Sequence, residues 1–310
     1  MTGRPELAAL QAGDRVGIVF PSGPPDPERL KQAEELLRSW DLVPVPGRNV
    51  LRAHPRADYL AGSDAERASD LEDAWCDDTL QAVFCARGGY GTVRLLDLLD
   101  VERLRRARPK ALFGSSDVTA VHEFWAERLG LSTWFSPMIA TAAVLGDAVA
   151  TAKLHQAVFG CFEGRSYSGP DACTLVPGTA TGVMTGGNLS LLAMTTGAAR
   201  AAGPRAAGKI ILLEDVTEDL YRIDALLHTL LRSGYFDGAA GIVLGTWHEC
   251  GDLGAVRALL QEVLSPLGIP LVWGFPLGHG PAADSIPLGV PAVLDAGTEP
   301  LLTLIGARKT

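Results

Sequence analysis

The chain has 310 residues, enough polypeptide for about two domains. Its 47% hydrophobic and 20% charged content is ordinary for a soluble globular protein and argues against disorder. The formal net charge of −9 argues against sequence-independent nucleic-acid binding, which needs clustered Lys and Arg.

From the N-terminus, "RVGIVF" reads as an apolar strand ended by the turn cluster "PSGPPD". Asp26 followed by Pro27 supplies a cap and a first-turn proline for the helix "PERLKQAEELLRSW". "LVPVPG" is a weaker strand, and Ser63 with Glu66 forms a capping box opening the next helix. Then come the strand "LQAVFCA", the helix "VRLLDLLDVERLRRA", the strand "KALF", the helix "VTAVHEFWAERLG", "LSTWF" and the helix "DAVATAKLHQAVFG". The basic run "RLRRARPK" (Arg103 to Lys110) reads as a solvated helix end. Apolar strands spaced by amphipathic helices predict a parallel sheet covered on both faces.

The alternation stops near "EGRSYSGPDACTLVPGTATG", a stretch rich in Gly, Ser, Thr and Pro that predicts a domain junction. The expected division is residues 1–160 as an N-terminal α/β domain, 161–182 as the junction, and 183–310 as a C-terminal α/β domain. The second half holds the helix "NLSLLAMTTGAA", the strand "KIILLE", the helix "LYRIDALLHTLLRSG" and the strand "AAGIVLGTW". The helix "LGAVRALLQEVL", the strand "LVWGF" and a hairpin, "AVLDAGTEPLLTLI", complete it.

Ligands of an open parallel sheet gather at the carboxyl ends of its strands. Polar residues directly after apolar strands are therefore the candidates: "GSSD" after "KALF", Glu214 after "KIILL", and His279 after "LVWGFPLG". Serine, acid and histidine in that order can serve acyl transfer, because imidazole activates the hydroxyl and a carboxylate orients the imidazole. "GSSD" resembles a nucleophile elbow with Ser116 at its apex, and the N–H of Asp117 is then placed to donate to an oxyanion. It lacks the last glycine of the usual G-x-S-x-G pattern, and an ordinary helix cap is the competing reading. "RGGYG" (Arg87 to Gly91) offers a second donor, from Gly88 or Gly89, or else is a plain glycine turn.

Other motifs carry less. "GPRAAGKI" has Ile210 where a phosphate loop needs Ser or Thr, and it precedes a strand. His248, Glu249 and Cys250 are adjacent and cannot all face one metal, and HExxH is absent. Cys85 ends a strand and reads as a small buried hydrophobe. Five scattered cysteines without a CxxC pair predict reduced, mostly buried thiols. No signal-peptide pattern opens the chain, and no stretch reaches the about 18 apolar residues of a membrane helix. A cytoplasmic protein with no metal, no cofactor and no membrane or nucleic-acid partner is expected.

The motifs taken together resemble the LD-carboxypeptidases of serine peptidase group S66, which include the microcin-immunity peptidases. The resemblance runs nearly end to end, through "RVGIVFPSGP", "YLAGSDAERASDLEDAWCDDTLQAVFCARGGYG", "FGSSDVTA", "SPM", "GVMTGGNLSLL", "ILLEDVTEDLYRIDALLHTLLRSGYFDGAAGIVLG" and "GFPLGHGPAADSIPLG". It implies an N-terminal α/β domain of the class I glutamine amidotransferase type, a smaller C-terminal α/β domain, and an active site in the cleft between them. It also implies Ser116 as nucleophile, Glu214 and His279 as its partners, and oxyanion donors from the N–H of Asp117 and of Gly88 or Gly89. The implied activity is hydrolysis of the L,D-bond to the terminal D-Ala of a murein tetrapeptide, by a homodimer, in cell-wall recycling. Arg87 is a candidate for the substrate's carboxylate. Many relatives carry "HGP" before the Met of "SPM", where this chain has Phe135-Ser136-Pro137, a departure that bears on substrate preference. The rival readings are an immunity-type peptidase acting on a peptidyl or aminoacyl nucleotide and a non-catalytic small-ligand-binding protein.

Overall fold

Strand β1 (Arg15–Val19) is buried from its second residue onward, as an unbroken Val-Gly-Ile-Val run must be in a sheet covered on both faces. The structure, a computed structural model, describes residues 7–196 and 205–306. Parallel to β1 lie β2 (Val43–Pro46) on one side and β3 (Ala82–Cys85) on the other. β4 (Ala111–Gly114) and β5 (Thr133–Phe135) extend the sheet in parallel beyond β3. A sixth strand, Ile286–Leu288, joins beyond β5, so the order is Ile286–Leu288, β5, β4, β3, β1, β2.

Among the described residues the second sheet has eight strands. In chain order these are β6 (Ser166–Tyr167), β7 (Cys173–Val176), β8 (Gly178–Asn188), β9 (Lys209–Val216), β10 (Gly241–His248) and β11 (Leu271–Trp273). With Ile286–Leu288 numbered β12, the last two are β13 (Pro291–Ala296) and β14 (Leu301–Leu304). The order is β6-β14-β13-β8-β9-β10-β11-β7. β8 to β11 run parallel at the centre, while β7 pairs antiparallel on one flank and β13, β14 and β6 on the other. The β13–β14 pair is the hairpin read from the sequence.

The chain divides into two units, one of Met1–Cys161 with Asp284–Ile286 and one of Phe162–Ala283 with Pro287–Thr310. Residues 161–182, which read as a junction, hold β6, β7 and the start of β8. β6 and β7 are the two edge strands of the second sheet, and the small and β-branched residues of the segment suit strands as well as loops. The first unit centres on Trp75 and Trp125, edge to face with centroids 5.3 Å apart, among buried leucines and valines. In the second, the helices Leu220–Arg232 and Leu253–Leu264 each bury one apolar stripe against the sheet.

The caps form as the sequence indicates. Asp26 accepts the N–H of Glu28, and Ser63 and Glu66 make the reciprocal bonds of a capping box. The helix expected over "VRLLDLLDVERLRRA" is instead a single turn at Thr92–Arg94 followed by a helix at Val101–Arg106. Asp100 restarts it by accepting the N–H of Arg103 at 3.0 Å. Lys110 corrects the reading of a solvated basic end: it is buried, its ammonium donates to the carbonyl of Asp77 at 2.6 Å, and desolvation lowers its pKa to about 8. Of the cysteines, Cys85 and Cys250 are buried and Cys161 is exposed. The helix read over "NLSLLAMTTGAA" spans Leu189–Thr196, and its expected end lies outside the described residues, as do Gly203 and Pro204 of "GPRAAGKI". Among the described residues no helix is long and apolar enough to cross a membrane.

Candidate active site

β4 ends at Gly114, and the chain turns sharply into the helix Thr119–Phe124 through Ser115 and Ser116. A Cβ on Gly114 would stand 2.8 Å from Val118 Cγ1, so the glycine is there for close approach. Ser116 carries the strain itself: its φ is +58°, a left-handed conformation that costs a residue with a side chain about 1–2 kcal/mol. Ser115 is extended and buried, whereas Ser116 is half-buried. The turn is held from behind, where the carbonyl of Gly114 accepts the N–H of Ser136 and the Nε2–H of His122, both at 2.9 Å. Burial lowers the pKa of His122 to about 4, keeping it a neutral strut.

The "RGGYG" loop leaves the end of β3 and lies against this turn. A Cβ on Gly88 would meet Ser116 Cβ at 2.9 Å and Oγ at 3.0 Å, so only glycine allows the backbone this close. The loop is tied to the turn after β1 by the Gly23 N–H on the Gly88 carbonyl and by the Arg87 guanidinium on the Pro24 carbonyl. Arg87 thus braces the loop. Asp117 is fully buried, and its carboxylate accepts the N–H of Thr92 at 2.9 Å while the Thr92 hydroxyl donates to its carbonyl. Desolvation pushes this carboxyl up, against the lowering effect of the Ser22 and Thr92 donors. The sequence points to the amide of Asp117 and gives no sign of its side chain, which binds the loop to the turn. Phe135 and Ser136, where the family pattern is broken, are buried behind Gly114.

In the second unit Glu214 stands near the carboxyl end of β9, fully buried, with Oε2 2.6 Å from Nδ1 of His279. A carboxylate can only accept, so Nδ1 carries the proton and Nε2 keeps the lone pair. Desolvation would lower the imidazole's pKa, but the charge and hydrogen bond of Glu214, with the charge of Asp215, hold it above the ordinary histidine value. Asp215 faces elsewhere. It accepts from Asn188 Nδ2, the Ser190 N–H and the Ser190 hydroxyl at 2.7–2.9 Å, capping the helix Leu189–Thr196. Asp215 thus serves the helix that precedes it in the chain. Burial, then the charge of Glu214, raises its pKa to about 6.

Gly278 has φ +128°, and a Cβ there would fall 2.5 Å from Glu214 Oε2 and 2.4 Å from Thr246 Oγ1. Gly278→Ala is therefore expected to displace His279 from Glu214, lowering activity tenfold or more with a lower Tm. Thermal melts beside kcat measurements check this.

Among the described residues no group of three His, Cys, Asp or Glu side chains could hold a metal ion. Cys85 is buried, and desolvation pushes its thiol far up, away from a reactive thiolate.

Residues 16–136 match the LD-carboxypeptidase N-terminal domain family, and residues 181–294 match the LD-carboxypeptidase C-terminal domain family. A Streptomyces coelicolor protein described as a carboxypeptidase is 48% identical over 291 residues, covering 94% of this chain and 93% of that protein. The murein tetrapeptide carboxypeptidase of Pseudomonas aeruginosa is 33% identical over 273 residues, covering 84% and 88%. The crystal structure of an MccF-like protein from Bacillus anthracis superposes with a TM-score of 0.83 at 22% identity, covering 97% of this chain and 99% of that one, and shows the same fold.

Proposed function

Because the chain belongs to the LD-carboxypeptidase family, we propose that it is the serine carboxypeptidase that releases terminal D-Ala from murein tetrapeptides. The observation that carries this reading is the 2.6 Å bond from buried Glu214 to His279, which leaves Nε2 as a proton acceptor. The left-handed turn at Ser116 supports the nucleophile's place, and the name of the Pseudomonas relative supports the substrate class.

In this reading Ser116 Oγ attacks the carbonyl of the L,D-bond as His279 Nε2 removes its proton. The N–H groups of Asp117 and of Gly88 or Gly89 receive the oxyanion. His279 then gives its proton to the departing D-Ala amine. Water, deprotonated by the same imidazole, releases the tripeptide and restores Ser116. In this reading the N-terminal domain carries the nucleophile and the C-terminal domain the acid–base pair. A homodimer in the cytoplasm belongs to the same reading, with no cofactor and no membrane or nucleic-acid partner.

The test is to incubate the protein separately with a murein tetrapeptide and with an aminoacyl sulfamoyl adenylate, and to identify products by mass. Free D-Ala and tripeptide are expected from the first. Cleavage of the adenylate alone would replace the murein reading with that of an immunity-type peptidase.

A further inference from the structure

β10 is irregular beside the acid. Leu244 pairs with Leu213 of β9 and Trp247 with Asp215, so Gly245 and Thr246 together stand opposite Glu214. Such a bulge re-aims one side chain. Here it turns Thr246 toward the loop that carries His279. The N–H of Thr246 donates to the Leu277 carbonyl at 2.8 Å, and its hydroxyl donates to the same oxygen at 3.3 Å. The N–H of Gly280 in turn donates to Thr246 Oγ1 at 3.2 Å. One hydroxyl therefore ties the chain on both sides of His279. The fit leaves no slack, since a Cβ on Gly245 would fall 2.1 Å from the Leu277 oxygen.

We propose that Thr246 is a positioning residue, whose hydroxyl fixes the Leu277–Gly280 loop so that His279 meets Glu214. The proposal rests on the reading of His279 as the general base. Without the hydroxyl, the Gly280 amide loses its acceptor and the loop is pinned at its Leu277 end alone. The imidazole is then free to leave the short bond to Glu214 that supports its charged form. The charged groups acting on it are Glu214 and Asp215, both on β9.

The experiment compares Thr246→Val, which removes the hydroxyl at nearly constant volume, with Thr246→Ser, which keeps it. The His279 imidazole is titrated by NMR without substrate, and kcat and KM are measured with murein tetrapeptide. In Thr246→Val the imidazole should titrate at lower pH than in the wild type, by about half a pH unit or more. Its kcat should fall about tenfold or more with KM within about threefold. Thr246→Ser should restore both. Thr246→Ala, which puts no methyl in place of the hydroxyl, should repeat the Val result if Val fails to fold. Wild-type titration in Val and Ala, a shifted titration with unchanged kcat, or a Ser variant as impaired as Val would each overturn the proposal. The titration needs no substrate, so failure to cleave murein peptides would count against the functional reading and leave this test standing.

Discussion

His279→Ala is expected to lower kcat for D-Ala release by roughly 10³- to 10⁵-fold with the fold intact, because in the proposed mechanism nucleophile, base and acid act as one unit. Glu214→Gln should cost nearly as much, since an amide in place of the carboxylate can stabilise the wrong tautomer. The pH dependence separates the two roles. The base works only when neutral, so kcat/KM should fall as pH drops through the imidazole's pKa, and Glu214 places that limb above the ordinary histidine value of about 6.5. Removing the carboxylate's charge withdraws support from the imidazolium, so the limb should move to lower pH in Glu214→Gln. Rate profiles from pH 5 to 9 for wild type and Glu214→Gln check both statements. A limb that stays in place would mean that another group governs it.

Ser116→Ala should reduce D-Ala release as severely as loss of the histidine, while Ser115→Ala stays within about tenfold of wild type. The distinction is geometric. Ser116 is the residue at φ +58°, half-buried with Gly88 against its Oγ, whereas Ser115 is extended and buried. Alanine also tolerates φ +58° poorly, so circular dichroism should accompany the assay. Activity lost in Ser115→Ala and retained in Ser116→Ala would put the turn one residue out of register.

Much of this architecture was legible before any coordinates. β1, β3 and β4 are unbroken apolar runs because both faces of their sheet are covered, and the polar residues that follow them supply the turns around Ser116. Glu214 and His279 are likewise polar residues following apolar strands, and their joint role is implied by the family resemblance. Two features were not legible. The strand Ile286–Leu288 is three residues of "IPL" in a proline-rich stretch, and it pairs in a sheet built from residues 15–135, so no local signal marks it. The Asp117–Thr92 bonds join positions 25 apart, and burial of that carboxylate cannot be read from its own segment. The bulge at Gly245-Thr246 did leave a trace, an isolated glycine inside the strand "GIVLGTWH", which often marks such an irregularity.

Whether the protein removes a C-terminal residue depends on whether it reads a free carboxylate, and the direct measurement is kcat/KM for a D-Ala-terminated tetrapeptide against its C-terminal amide. Burying a carboxylate requires charged or amide partners that a neutral amide cannot fully use. Amidation should therefore cost about 2–5 kcal/mol of transition-state binding, a fall of roughly 30- to 4,000-fold. Equal kcat/KM for acid and amide would contradict the carboxypeptidase account.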